Sequence, residues 1–370
     1  MLEKIKVLVI TNMYPSRENV MFGIFIKNLI DEFNRYGNVQ QYIAANFIHR
    51  KGFLIIIYKY IMLFIKSIYC AVFKDYDIIH AHFAYPTGLI AYICKLIKKK
   101  KLIISIHGSD IYNVALRSKL NFKLCKFALM RSDFLIVNSE YVKKKIIKGF
   151  GINKNKIKII SIGVRVDLFK PMNKEICRKK LGLGLRGKII LFAGNIIEIK
   201  GVIYLIEAIN LVRKKYRDDT IKCILLGAKF NSKYVSSILK KIKIFKLEDI
   251  IKLVGPVPYN EVPFWINASD VFVLPSLSEG FGLAALEALA CRVPVVAARV
   301  GGLKEFIKDG ETGFTVEPGN SKSIADIVTY ILDSGKKDII IIEENGLKFA
   351  QSLSTINQIK KIEKIYSDLM

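Results

Sequence analysis

The sequence predicts an α/β protein made of two tandem, Rossmann-like doubly wound domains. Three observations predict it. Short β-branched runs alternate along the chain with longer stretches of helical periodicity, the sequence form of βαβ units around a parallel sheet. The chain has 370 residues, long for one hydrophobic core, so two domains are favoured, and with them a ligand cleft between domains. Finally, 52% of the residues are apolar and Gly and Pro are at ordinary levels, so the chain can bury a core throughout and lacks a disordered composition.

In the first half the strand candidates are Ile5 to Thr11, Ile78 to Ala81, Leu102 to His107, Phe134 to Asn138 and Ile157 to Ile160. In the second half they are Lys188 to Ala193, Cys223 to Gly227, Ile251 to Val254, Val271 to Pro275 and Val293 to Ala298. The boundary is expected between Asp167 and Lys188, where a Pro, a basic run and several glycines separate strands. This divides the chain into residues 1–170 and 171–353. Residues 354–370 place Ile356, Ile359, Ile362, Tyr366 and Leu369 near helical spacing, a terminal amphipathic helix able to pack back on the first domain. The linker also contains G-x-G-x-x-G at Gly182, Gly184 and Gly187, but a strand follows it where the dinucleotide fingerprint needs a helix. A nicotinamide dehydrogenase is therefore disfavoured.

The formal net charge of +27 makes polyanions, anionic lipid and phosphorylated substrates electrostatically plausible partners, although much of it also reads as solvated surface. No basic recognition helix, RNP-type aromatic run or zinc spacing is evident, so specific nucleic-acid binding is not expected. Six cysteines are scattered singly, which argues against a disulfide framework and fits a reducing cytoplasm. The start, "MLEKIKVLVIT", enters a strand-like run directly, and no signal peptide is expected. Phe53 to Phe73 is long enough to span a bilayer, but Lys59 and Lys66 fall inside it. It reads instead as a helix pair, or an amphipathic helix that packs on the fold with a face able to touch lipid.

Open α/β sheets bind ligands beyond the carboxyl ends of their strands. After the Val271 to Pro275 strand comes "SLSEGFGLAALEALA", where Gly280 and Gly282 let backbone approach a ligand and a helix opening near Leu283 points its N–H groups at the same place. A phosphate suits that spot. The flanking carboxylates Glu279 and Glu287 suit sugar hydroxyls, each able to accept two hydrogen bonds. Either glutamate alone also fits a solvated helix start; the pair around Gly-Phe-Gly is harder to explain that way.

The stretch from Glu279 to Asn320, with its Glu, seven residues and second Glu, resembles the donor-binding segment of the retaining glycosyltransferases of family 4, which have the GT-B fold. "TNMYPSRENVMFGIF" near the start, "HGSDI" at His107, "IGVRVDLFKP" at the boundary and "GNIIEIKG" in the second half support the resemblance, and the start is similar to the subset that builds cell-envelope polysaccharides. The resemblance implies acceptor binding mainly on the first domain and nucleotide-sugar donor binding on the second. By position, Glu287 would hold the ribose and Glu279 the donor sugar, with the backbone of Gly280, Phe281, Gly282 and Leu283 approaching sugar and phosphate. Lys200 would neutralise the diphosphate, helping a leaving group that gains negative charge. Gly23 would lie near the diphosphate and His107 near the donor sugar. His80 and His82 share one strand face but lack a clear third metal ligand, and read as cleft-lining or structural.

Three positions depart from the family pattern. Asn195 stands where an arginine is usual, five residues before Lys200; Arg292 stands for a Gly, and Arg165 interrupts a typical "GVD". The first leaves a donor site with less positive charge, supported by Lys200 alone or by another basic residue. No DxD-like pair sits at a strand end, and the resemblance implies no bound metal and no cofactor, only a nucleotide diphosphate sugar as co-substrate, UDP- or GDP-linked. The expectation is a metal-independent hexosyltransferase, cytoplasmic or peripheral on the inner face of the cell membrane, acting on a lipid-linked or polysaccharide acceptor. A glycosyltransferase of soluble small acceptors, or a non-catalytic glycan-binding partner subunit, is the alternative.

Overall fold

A computed structural model describes residues 4–16, 22–48, 52–108, 111, 115–216, 220–228, 232–333 and 337–370. Two compact units are present, residues 1–163 with 355–370, and residues 164–354.

The first unit carries β1 (Ile5–Thr11), α1 (Ile24–Tyr36), β2 (Val39–Ala45), α2 (Phe53–Phe73), β3 (Ile78–His82), α3 (Thr87–Lys98), β4 (Lys101–Ile106), α4 (Lys119–Arg131), β5 (Phe134–Val137), α5 (Glu140–Phe150) and β6 (Ile157–Ile159). Its six strands are all parallel, in the order β2-β1-β3-β4-β5-β6. Both faces are covered, so its inner strands are buried almost continuously rather than alternately. Alternation decides which face each residue serves. Leu8 and Ile10 join the core beneath α2 to α5, whereas Val7 and Val9 join a core shared with α1 and the terminal helix Thr355–Leu369. That helix buries Ile359, Ile362, Ile365 and Tyr366 in the first unit, which is why the end of the chain belongs with its beginning.

The second unit carries α6 (Lys174–Lys180), β7 (Lys188–Ala193), α7 (Val202–Val212), β8 (Ile221–Leu226), α8 (Ser232–Ile244), β9 (Ile251–Gly255), α9 (Val262–Ala268), β10 (Val271–Leu274), α10 (Leu283–Ala290), β11 (Val295–Ala298), α11 (Leu303–Phe306), β12 (Phe314–Val316), α12 (Ser321–Leu332) and α13 (Lys337–Ser352); the terminal helix of the first unit is α14. Its strands are again parallel, in the order β12-β11-β10-β7-β8-β9.

One device recurs in both units. An aspartate just before a strand accepts the backbone N–H that opens the neighbouring strand: Asp77 from Lys6 at 2.8 Å, Asp133 from Leu102 at 2.7 Å and Asp270 from Ile189 at 2.7 Å. Each supplies an acceptor where the ladder would otherwise leave a donor unpaired.

Three expectations need correction. The segment after Asp167 is not a free linker, and the division falls earlier, at Gly163. Asn267 accepts from the Met172 N–H at 2.8 Å, and the buried Arg178 guanidinium donates to Ala268 O, Leu185 O, Gly187 O and Asp270. These contacts tie residues 164–187 into the second unit. Strands β2 and β12 escaped the sequence reading because one is an edge strand with two glutamines and the other has three residues. Phe53–Phe73 is one 21-residue helix, not a pair, and its outward face is exposed.

Candidate functional site

In each sheet the strand order reverses about the first strand. In the second unit the chain runs β7 to β9 on one side and then returns to place β10 to β12 on the other, so the switch point lies between β7 and β10. The segments leaving those adjacent strands diverge there and open a crevice. Asn195 and Lys200 follow β7, and Ser276 to Gly282 follow β10.

Lys200 ends a 3-10 turn, Glu198–Lys200, that closes on Gly201. Gly201 has φ +63°, and a Cβ there would lie 2.1 Å from the Pro275 carbonyl oxygen, so only glycine lets this turn settle on the end of β10. The Leu277 N–H donates to Ile199 O at 2.8 Å and pins the two loops together. As a result the Lys200 ammonium pairs with Glu279 Oε1, although 79 residues separate them. Ser276 Oγ lies 3.4 Å from the same carboxylate oxygen. An ammonium has three donors, so Lys200 can address Glu279 and a phosphate oxygen together.

Gly282, in the left-handed region, is the N-cap of α10. The Phe281 ring is buried with its centroid 5.3 Å from that of Phe306, which makes the side chain a core anchor and leaves the backbone of Gly280 to Leu283 to line the helix start. One turn further on, Glu287 is 6% exposed, and Tyr259 donates its hydroxyl hydrogen to Oε1 at 2.7 Å. Burial pushes the Glu287 carboxyl up to about 8, and the Tyr259 bond opposes that rise only in part. The sequence reading missed Tyr259, which sits in the loop after β9 where no local pattern marks it. Asn195 is exposed just beyond β7 and brings no charge to the crevice edge.

In the first unit the switch point lies between β1 and β3. Gly23 follows β1 as the N-cap of α1, at φ +71°; a Cβ would meet Met13 O at 2.5 Å, so a larger residue would push α1 off the strand end. Residues 17–21 of the "MYPSRENVMFG" stretch, and Ser109 and Asp110 of "HGSD", lie outside the described residues.

The three described histidines in this region form a buried stack. His80 Nδ1 is 2.6 Å from the Tyr366 hydroxyl and its Nε2 is 2.7 Å from Ser105 Oγ, so both ring nitrogens are committed to holding α14 and β4. His80 is therefore structural. His82 Nδ1 lies 3.2 Å from His107 Nε2, with the rings nearly parallel. His107 is packed between Phe25 and Phe83, each with its centroid 4.8 Å away, and its buried Nδ1 has no hydrogen-bond partner among the described residues. Burial holds all three imidazoles below their ordinary range, His82 to about 4. His107 thus offers a neutral ring nitrogen. Among the described residues no cluster of three or more His, Cys, Asp or Glu is arranged for a metal ion.

The model of the family described as Glycosyltransferase Family 4 matches residues 6–168, and that of Glycosyl transferases group 1 matches residues 173–364. An uncharacterized glycosyltransferase of Methanocaldococcus jannaschii is 29% identical over 370 residues, covering 97% of this chain and 93% of that protein. The D-inositol 3-phosphate glycosyltransferase of Corynebacterium aurimucosum is 27% identical over 307 residues, covering 80% and 72%. Among solved structures, the Anabaena protein HepE in complex with UDP and glucose superposes with a TM-score of 0.82 at 20% identity, covering 99% of this chain and 100% of that one. Sucrose-phosphate synthase of Thermosynechococcus elongatus gives 0.83 at 19% identity, covering 99% of each chain. The two units have the GT-B architecture.

Proposed function

Since the chain belongs to the group 1 glycosyl transferases and to glycosyltransferase family 4, we propose that this enzyme moves a sugar from a nucleotide diphosphate donor, with retention of configuration, to a lipid-linked or polysaccharide acceptor of the cell envelope. The observation that carries the reading is the assembly at the switch point of the second unit, where Lys200 pairs with Glu279 just before α10 and Glu287 lies in the second turn of that helix.

In this reading the buried Glu287 carboxyl, held in place by Tyr259, hydrogen-bonds the two ribose hydroxyls. Glu279 accepts a hydroxyl of the donor sugar, and Lys200 together with the N–H groups opening α10 faces the diphosphate. The acceptor oxygen bonds to the anomeric carbon on the face the diphosphate leaves. The bond from that carbon to the phosphate oxygen breaks with its electron pair going to phosphate, and the acceptor proton passes to the departing oxygen. Positive charge at Lys200 favours that separation, and positioning supplies much of the remaining acceleration. His107, held neutral by burial, would lie near the donor sugar. Neither a resident metal nor a cofactor is required by this scheme. UDP- or GDP-sugars are the donors to test first; HepE, of like fold, has been crystallised with UDP-glucose. The enzyme would work in the cytoplasm against the inner face of the membrane.

A transfer assay with UDP- and GDP-sugars, offered lipid-linked and soluble acceptors in parallel, tests the reading, with the product's anomeric configuration read by NMR. Transfer with inversion, or transfer to soluble acceptors alone, would replace it.

A further inference from the structure

Helix α2 is apolar on two opposite faces. One face is accounted for: Leu63, Ser67 and Ala71 are buried, with Tyr60 and Cys70 packed against the same core. The other is not. Leu54, Tyr58, Ile61, Ile65, Tyr69 and Val72 follow one another at three- or four-residue spacing, so they form a single line along the helix, and each is 44% to 77% exposed. Isolated exposed apolar residues are ordinary, but a continuous line along a 21-residue helix is not.

Length and composition alone would let Leu54–Phe73 cross a membrane. Topology forbids it. Strands β2 and β3 both pair in parallel with β1, in register with it, so the two ends of α2 must return to one sheet. A spanning α2 would carry β2 and β3 to opposite sides of the bilayer and dismantle that sheet. The two lysines within the helix also sit away from the outer line. Lys59 lies over the Tyr60 ring at 5.5 Å and Lys66 over Phe47 at 5.1 Å, and burial lowers the Lys59 ammonium below its ordinary range.

Charge selects the occupant. Helix α2 contains no acidic residue, and its carboxyl end meets that of α3, where Lys98 donates to Lys74 O at 2.5 Å and Lys99 and Lys101 are exposed. Helix α3 itself exposes Ile93, Leu96 and Ile97 beside it. A second copy is disfavoured as the cover, because bringing two chains of formal charge +27 together opposes association.

We propose that α2 lies in the plane of an anionic bilayer, its outer line sunk to the headgroup and acyl boundary and the lysines at the ends of α2 and α3 facing the headgroups. This deepens the membrane-acceptor reading, yet it can be tested without any transfer reaction. The experiment is co-sedimentation of the full chain with phosphatidylcholine vesicles, with and without phosphatidylglycerol, at low and high salt. The wild type is expected to bind the anionic vesicles, more weakly as salt rises, and to be released by alkaline carbonate. The double variant Ile61→Glu, Ile65→Glu is expected to lose about tenfold or more in binding. Its thermal midpoint and its stabilisation by the preferred nucleotide-sugar should stay unchanged; if that variant does not fold, Leu54→Glu with Tyr58→Glu serves in its place. Equal loss from Ile340→Glu with Ile341→Glu, exposed in the second unit, would mark nonspecific adhesion and overturn the proposal. So would indifference of the wild type to phosphatidylglycerol, resistance to carbonate, or a dimer in solution that the α2 variant dissolves. Lipid binding without transfer to lipid-linked acceptors would sink the acceptor reading and leave this one standing.

Discussion

Tyr259 donates its hydroxyl to the Glu287 carboxylate at 2.7 Å, joining the loop after β9 to the second turn of α10. A carboxylate this buried is held ready for ligand hydroxyls only if something fixes its rotamer and offsets part of its desolvation. Tyr259→Phe should therefore push the Glu287 carboxyl higher still and weaken nucleotide-sugar binding by about tenfold, with a smaller effect on kcat. Calorimetric titration of the donor checks this; unchanged affinity would make Tyr259 a packing residue only.

Lys200→Ala should lower kcat by about 10² to 10³, the scale of losing a charged group aimed at a leaving anion; Glu279→Gln, which removes the partner of Lys200 and weakens an acceptor for the donor sugar, should lower kcat as well. Circular dichroism should show both variants folded, since the pair is reached by solvent on one side. Near wild-type turnover in either would remove that residue from the catalytic step.

Asn195 is exposed just beyond β7, where the resemblance implies an arginine. Asn195→Arg is expected to raise kcat several-fold at saturating donor, because it adds a cation near the leaving diphosphate. A rate that is unchanged or lower would show that the charge is already supplied elsewhere.

Stability should be bounded in pH from two sides. The Glu287 carboxyl moves from 4.5 to about 8 on folding, so the native state holds its proton more tightly and this contribution, complete below pH 4.5, is lost as pH rises through 8. The buried histidines act in the opposite sense: His82 falls from 6.5 to about 4, so its contribution is complete above pH 6.5 and is lost as pH falls through 4. Glu287→Gln should flatten the alkaline limb of thermal midpoint against pH and leave the acid limb in place. An unaltered alkaline limb would contradict the assignment.

His82 touches His107 through a hydrogen bond and a stacked ring, and in the proposed scheme its role would be positioning. His82→Phe should keep the packing but release His107, lowering kcat more than it raises donor KM. Equal changes in both would assign His82 to binding instead.

Much of this was readable before any coordinates. The strand runs at Ile5 to Thr11 and Val271 to Pro275 announced themselves because parallel strands buried on both faces are apolar without interruption. "SEGFGLAALEA" was legible because a glycine turn after such a strand and before a helix is local chemistry. The pairings of Tyr259 with Glu287 and of the Tyr366 hydroxyl with His80 were not legible, since the partners lie far apart in the chain and meet only in the folded unit. Residue spacing alone did not separate His80, inside β3, from His107, just beyond β4; the resemblance distinguished them, and their partners show one ring with both nitrogens occupied and one whose Nδ1 has no partner among the described residues.

Residue order by itself determined the alternation of strands and helices, the two-unit plan and the glycine-rich turn between β10 and α10, because these rest on short-range periodicity and turn chemistry. Tertiary structure alone decided that Lys200 and Glu279 meet and that Tyr259 reaches Glu287, and it fixed the docking of the last helix on the first unit and the outward apolar line of α2, which the sequence had left as options. Those outcomes depend on strand order, which places β7 beside β10 and returns β2 and β3 to the same neighbour, and strand order is a property of the closed sheet rather than of any stretch of the chain.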